Sequence, residues 1–131
     1  MIDPQYLSTC AAYLASYDVI YTDTYWFGAV ERNFIQWSLD HPARFINHPL
    51  SSCLLFKKSL WEKVGGYNED PRLIGHEDWA FSLALAKSGC KWKHINEHLY
   101  LYRRKRAGVS LYERALPRKS ASMALMKELY G

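Results

Sequence analysis

Four carboxylates fall within ten residues of this chain: Glu69, Asp70, Glu77 and Asp78. Gly75 and His76 stand just before the second pair, and Trp79 follows it. Adjacent carboxylates raise one another's proton affinity, and a raised carboxylate is a better general base near neutral pH. One carboxylate of the Glu77-Asp78 pair is therefore the candidate general base. A loop-to-helix junction would put it where a substrate hydroxyl can reach. His76 and Trp79 would line the pocket, the indole as a stacking surface for a sugar and the imidazole as a hydrogen-bond donor. A purely structural reading competes with this one, because acidic residues at a helix start are favoured by the dipole and cap free N–H groups.

The whole chain bounds what could support such a site. Its 131 residues suit one domain or a large part of one. An apolar content of 49% with 15% aromatics excludes a disordered chain. The formal charge of +4 permits contact with phosphates or a membrane surface without demanding it. Cys10, Cys53 and Cys90 are odd in number and widely spaced, which argues against a disulfide framework or a zinc ribbon. They read as small buried apolar residues in a reducing compartment. The first 14 residues lack the charged start and apolar run of a signal peptide, and no apolar run is long enough for a membrane span. The expectation is a cytoplasmic protein, at most peripheral to the inner face of the cell membrane.

The elements that would position the carboxylates can be read in order. Asp3-Pro4 predicts an N-cap and first helical position, and Leu7, Cys10, Ala11 and Leu14 then mark one helix face ending near Ser16. Residues 18–23 predict a buried strand, with 25–30 continuing it or turning outward. Residues 31–47 show no clear period despite Phe34, Trp37 and Phe45, and Pro42 and Pro49 limit any helix there. Residues 51–56 predict a second strand. Ser59 and Glu62 form a capping-box pattern for a short helix over 60–64, which Gly65-Gly66 stops with one glycine left-handed. After a loop over 67–75, residues 77–88 predict a helix apolar almost all round, hence buried on several sides and ended by Gly89. Residues 91–95 and 99–103 predict two strands around a turn at Asn96-Glu97. A basic run, Arg103 to Arg106, follows, and residues 119–130 predict a last helix with Met123, Met126 and Tyr130 on one side.

Several pieces recur in one order: D-P-x-Y-L from Asp3, the strand at 18–23, residues 51–58, V-G-G-Y-N-E from Val64, H-E-D-W from His76, Gly89, and L-Y-L-Y-R ending at Arg103. Over residues 3 to 110 this resembles the C-terminal, acceptor-side half of a family 2 glycosyltransferase of the GT-A fold. The resemblance implies an α/β fold, as an incomplete GT-A-like domain with a mixed sheet of few strands packed with helices. It implies an inverting transfer of sugar from a nucleotide-diphosphate donor to an acceptor hydroxyl, the acceptor being a sugar or lipid-linked. Asp78 would be the base and Glu77 would shape the site. Gly65 and Gly66 would keep the acceptor wall compact. Tyr102 and Arg103 would lead into a segment closing over the donor phosphates, where residues 103–106 would suit the charge.

The family's N-terminal half ends in a D-x-D metal motif, and this chain contains no D-x-D. Mg²⁺ or Mn²⁺ is therefore expected in the complete enzyme but not held tightly by this chain. Residues 1–131 are expected to represent the C-terminal half alone and to be inactive by themselves. The alternative is a non-catalytic folding or interaction module, dimerising to cover an exposed sheet edge. Other patterns have plainer readings. His94 to His98 matches the H-x-x-E-H zinc-peptidase pattern, but that site needs a helix and these residues alternate like a strand. His98 would otherwise lie near a metal or phosphate site, and His41 and His48 read as ordinary hydrogen-bonded residues. The basic run reads as a solvated loop or a phosphate contact. A nucleic-acid role is not expected, given the mild charge and the lack of a reading module.

Overall fold

A computed structural model describes residues 1–35 and 52–131 of the chain. It is a mixed α/β structure: a small four-stranded sheet with helices packed on both faces. Trp37, His41, Pro42, Phe45, His48, Pro49 and Ser51, which enter the expectations above, lie outside the described residues.

The organising strand is β1, Val19–Gly28, whose first six residues are all buried. Its β-branched and aromatic run suits a strand covered on both faces. It therefore extends the run expected at 18–23 rather than turning outward. One edge of β1 pairs in parallel with β4, Trp92–Arg104, from Val19↔Trp92 to Gly28↔Arg104. The other edge is shared. Antiparallel β3, Leu54–Phe56, takes Val19 to Tyr21, and antiparallel β2, Arg32–Phe34, takes Thr24 to Trp26.

Strand β4 corrects one expectation. Two strands around a turn would reverse direction, whereas residues on both sides of Asn96-Glu97 run parallel to β1. The register shows what stands there instead. Thr22 pairs with Ile95 and Thr24 with Tyr100, so β4 carries extra residues that bulge out of the ladder. Polar residues in the middle of an aromatic strand mark the bulge.

The far edge of β4 is covered at one place. The N–H of Asp3 donates to the Leu99 carbonyl at 2.9 Å, and the N–H of Leu101 donates to the Met1 carbonyl at 2.8 Å. Helix α1, Tyr6–Ala11, follows and packs Tyr6 and Cys10 against Ile20, Ile95 and Leu99. Its buried face is thus displaced from the expected Leu7 stripe, and Leu7 is exposed. Asp3 does not cap the helix itself, because its carboxylate accepts from the N–H of Gln5.

Helix α2, Lys58–Lys63, starts earlier than expected, with Lys57 at its N-cap and no side-chain cap. Ser59 lies inside the first turn, so the capping box does not form. Gly65 and Gly66 both take positive φ after it, at 83° and 75°. Helix α3, Glu77–Lys87, buries Trp79, Ala80, Phe81, Ser82, Leu83 and Leu85. Phe81 and Leu85 meet Val19 and Leu60, while Trp79 and Leu83 meet Tyr21, Leu73, Leu125 and Met126. This two-sided burial is what its nearly uniform apolar surface requires. The chain closes with α4, Leu111–Ala115, a short 3-10 turn, and α5, Lys119–Tyr130, which packs on α3. No helix among the described residues is long and apolar enough to cross a membrane.

Candidate functional site

The two acidic pairs of the opening stretch have different fates. Asp70 caps a short 3-10 turn, Pro71–Leu73, by accepting from the N–H of Arg72 at 2.9 Å. The Arg72 guanidinium also clamps it, with Nη2 to Oδ2 at 2.6 Å. Hydrogen bonds from Arg72 lower its carboxyl to about 2. Asp70 is thus a locked loop-forming acid, and Glu69 is exposed. Asn68 adds to the lock by accepting from the N–H of Asp70, and the N–H of His76 donates to the Leu73 carbonyl at 2.7 Å. This loop delivers the chain to the head of α3 in one conformation.

The second pair stands in the first turn of that helix. Asp78 Oδ1 accepts from the N–H of Trp79 at 2.8 Å, and Ser82 Oγ donates to the Asp78 carbonyl at 2.9 Å. Burial pushes the Asp78 carboxyl upward, the Trp79 N–H opposes this, and the Glu77 charge adds to the rise. The Asp78 charge is felt by two phenols. Tyr67 is raised first by its own burial and then by Asp78. Tyr100 is raised by burial and, more weakly, by Cys53, Tyr102 and Asp78, while Ser52 lowers it. Tyr100 OH and Ser52 Oγ are 3.4 Å apart, and the Tyr100 and Tyr102 rings lie 6.0 Å apart. The Tyr67 ring rests on Phe81 at 4.5 Å with its other parts open to solvent. A half-buried carboxylate with a raised pKa can accept a proton from a hydroxyl.

His76 and Trp79 are both buried. His76 Nδ1 lies 3.1 Å from Ser122 Oγ, which itself donates to the Arg72 carbonyl. Burial lowers its pKa. Trp79 is 1% exposed among Tyr21, Leu73, Leu83, Leu125 and Met126. Both side chains point into the α3–α5 interface, because α3 needs apolar cover on that side too. They hold the helix in that interface. Tyr67, Tyr100 and Tyr102 keep partly open aromatic rings. Tyr100 was legible in L-Y-L-Y-R, since alternate residues of a strand share a face. Tyr67 follows the glycine pair directly.

The glycines act at short range. A Cβ on Gly66 would lie 2.8 Å from Trp61 Cζ2, so the bare backbone lets the indole lie across the end of α2. Nothing crowds Gly65, whose requirement is conformational. Of the late pair, Tyr102 joins Tyr100, but Arg103 alternates to the other face and stands over the Phe27 ring at 5.4 Å.

A second polar pair lies deeper. His94 Nε2 and Asp23 Oδ1 are 2.7 Å apart and both nearly buried, with the Tyr21 ring stacked on the imidazole at 4.7 Å. Residues 94–98 are strand and bulge, not the helix that H-x-x-E-H needs. The described residues bring together no set of three or more His, Cys, Asp or Glu side chains that could hold a metal ion. A shallow groove lined by Asp18, Lys57, Leu60, Lys63 and Cys90 lies at the opposite end of α3 from Asp78. No protein-family model, no curated protein and no solved structure matches this chain.

Proposed function

We propose that the chain forms the acceptor side of an inverting glycosyltransferase site of GT-A type, with the donor side supplied from outside these 131 residues. The observation that carries this reading is Asp78: a carboxylate raised by burial and by Glu77, at the mouth of a helix, within electrostatic reach of Tyr67 and Tyr100. In the reaction, Asp78 removes the proton of an acceptor hydroxyl as its oxygen attacks the anomeric carbon. The bond to the nucleotide diphosphate breaks with its electron pair leaving on the phosphate oxygen, and the configuration inverts. A general base of this kind contributes roughly 10²–10⁴-fold. The mixed sheet and the ordered motifs support the reading.

Isotope-labelled chain titrated with a panel of saccharides and, separately, with nucleotide diphosphates plus Mn²⁺ tests it. Saccharides are expected to shift the resonances of Tyr67, Tyr100 and Asp78, and Asp78→Asn to abolish or displace those shifts. Nucleotides are expected to leave the spectrum unchanged. Tight nucleotide binding, or saccharide shifts that avoid these residues, would overturn the assignment.

A further inference from the structure

At the end of the sheet away from α1, the last residues of β1 and β4 meet the start of β2. The Arg104 guanidinium lies over the Trp26 ring at 4.6 Å and Arg32 lies over it at 5.9 Å. Arg103 covers Phe27 on the other face. Lys105 and Arg106 follow and are exposed, as are Arg32 and Arg103. The β1–β2 turn is held against this run, since the N–H of Ala29 donates to the Arg104 carbonyl at 3.0 Å. Two acids lie nearby. Glu113 is occupied by the N–H groups of Gly108 and Ser110, and Glu31 stands in the turn. Among the described residues, five cations of this sheet end, Arg103 on the Phe27 face, thus accompany two carboxylates, one of them committed to backbone. Exposed aliphatic side chains stand next to these residues in the chain: Val30 at 46% in the β1–β2 turn and Val109 at 49% after the basic run.

The geometry points to this end of the sheet as a docking surface for an anionic lipid bilayer. Basic side chains attract acidic headgroups, half-buried Trp26 and Phe27 suit the interface, and the aliphatic tips enter between the lipids. A single-stranded nucleic acid fits less well. It needs open aromatic faces, whereas the Trp26 indole is already stacked on Phe34 at 5.0 Å and approached by two guanidinium groups. Aliphatic tips offer a base nothing to stack on.

Vesicle co-sedimentation of the full chain tests this, using phosphatidylcholine vesicles with and without roughly one-third phosphatidylglycerol near physiological salt. Binding is expected only to the anionic vesicles. Lys105→Ala with Arg106→Ala should weaken it about thirtyfold, at about fivefold per charge removed. Val30→Asp should weaken it about tenfold. All three positions are exposed and outside the proposed acceptor site, so urea midpoints should not move. Equal binding to neutral vesicles, no binding to either, or variants that bind as the parent does would each overturn the proposal. So would single-stranded RNA that displaces the chain from anionic vesicles at lower concentration than the lipid itself requires.

Discussion

Replacing Gly75 with Ala should damage the fold more than the same change at Gly65, although both glycines share one backbone conformation. Their φ values are 85° and 83°. An L-residue there costs about 1–2 kcal/mol, partly offset by about 0.4–1 kcal/mol because alanine restricts the unfolded chain. Gly65→Ala has open space around the new methyl group and should cost about 1 kcal/mol. At Gly75 the new methyl collides with the Ala115 side chain and also meets the Leu111 carbonyl at 3.5 Å. Ala115 is 2% exposed and cannot swing aside. Overpacking of this kind adds about 1–3 kcal/mol, for a total near 3 kcal/mol. Urea unfolding followed by tryptophan fluorescence and circular dichroism reads the difference. A double-mutant cycle separates its causes. Ala115→Gly removes the colliding methyl, so Gly75→Ala with Ala115→Gly should show a favourable coupling of about 2 kcal/mol. If Gly75→Ala costs no more than Gly65→Ala, or if Ala115→Gly recovers nothing, then α4 does not pack on the loop that delivers Asp78.

Two further outcomes follow from the site. Asp78 is raised in the folded chain, so the folded state binds more protons than the unfolded one between the unfolded and folded pKa. Stability therefore falls as pH rises through that window and stays reduced at neutral pH. Asp78→Asn should remove this cost, giving a gain at pH 7 above the roughly 0.5 kcal/mol scatter of ordinary surface changes, and no gain at pH 3; paired urea titrations at the two pH values check it. Trp79→Ala should cost about 3–5 kcal/mol, enough to unfold a marginal domain, whereas Trp79→Phe should keep both the fold and the Asp78 proton affinity; an indole acting as a sugar platform would instead leave stability nearly untouched.

Local chemistry made much of this molecule legible. The glycine stop after α2, the long apolar α3 and the strand at its β-branched run all follow from residue type and spacing. The register of β4 did not, because a polar pair inside an aromatic run reads equally as a hairpin turn or a bulge. The direction of the second half depends on which strand it pairs with, and β1 lies over sixty residues away in the chain. The burial of His76 and Trp79 was hidden for a related reason. A helix that is apolar all round does not say which side meets α5 and which meets solvent.

The same division holds for the stretch between Glu69 and Trp79. Its sequence alone put two acidic pairs on a loop and at a helix start, since glycine, proline and acidic residues act on their own backbone neighbours. Only the tertiary structure told the pairs apart. Asp70 is neutralised locally by Arg72, while the burial of Asp78 depends on α3 packing beneath Tyr67 and beside β4. Desolvation arises from distant chain segments excluding water together, and no local pattern of residues carries that information.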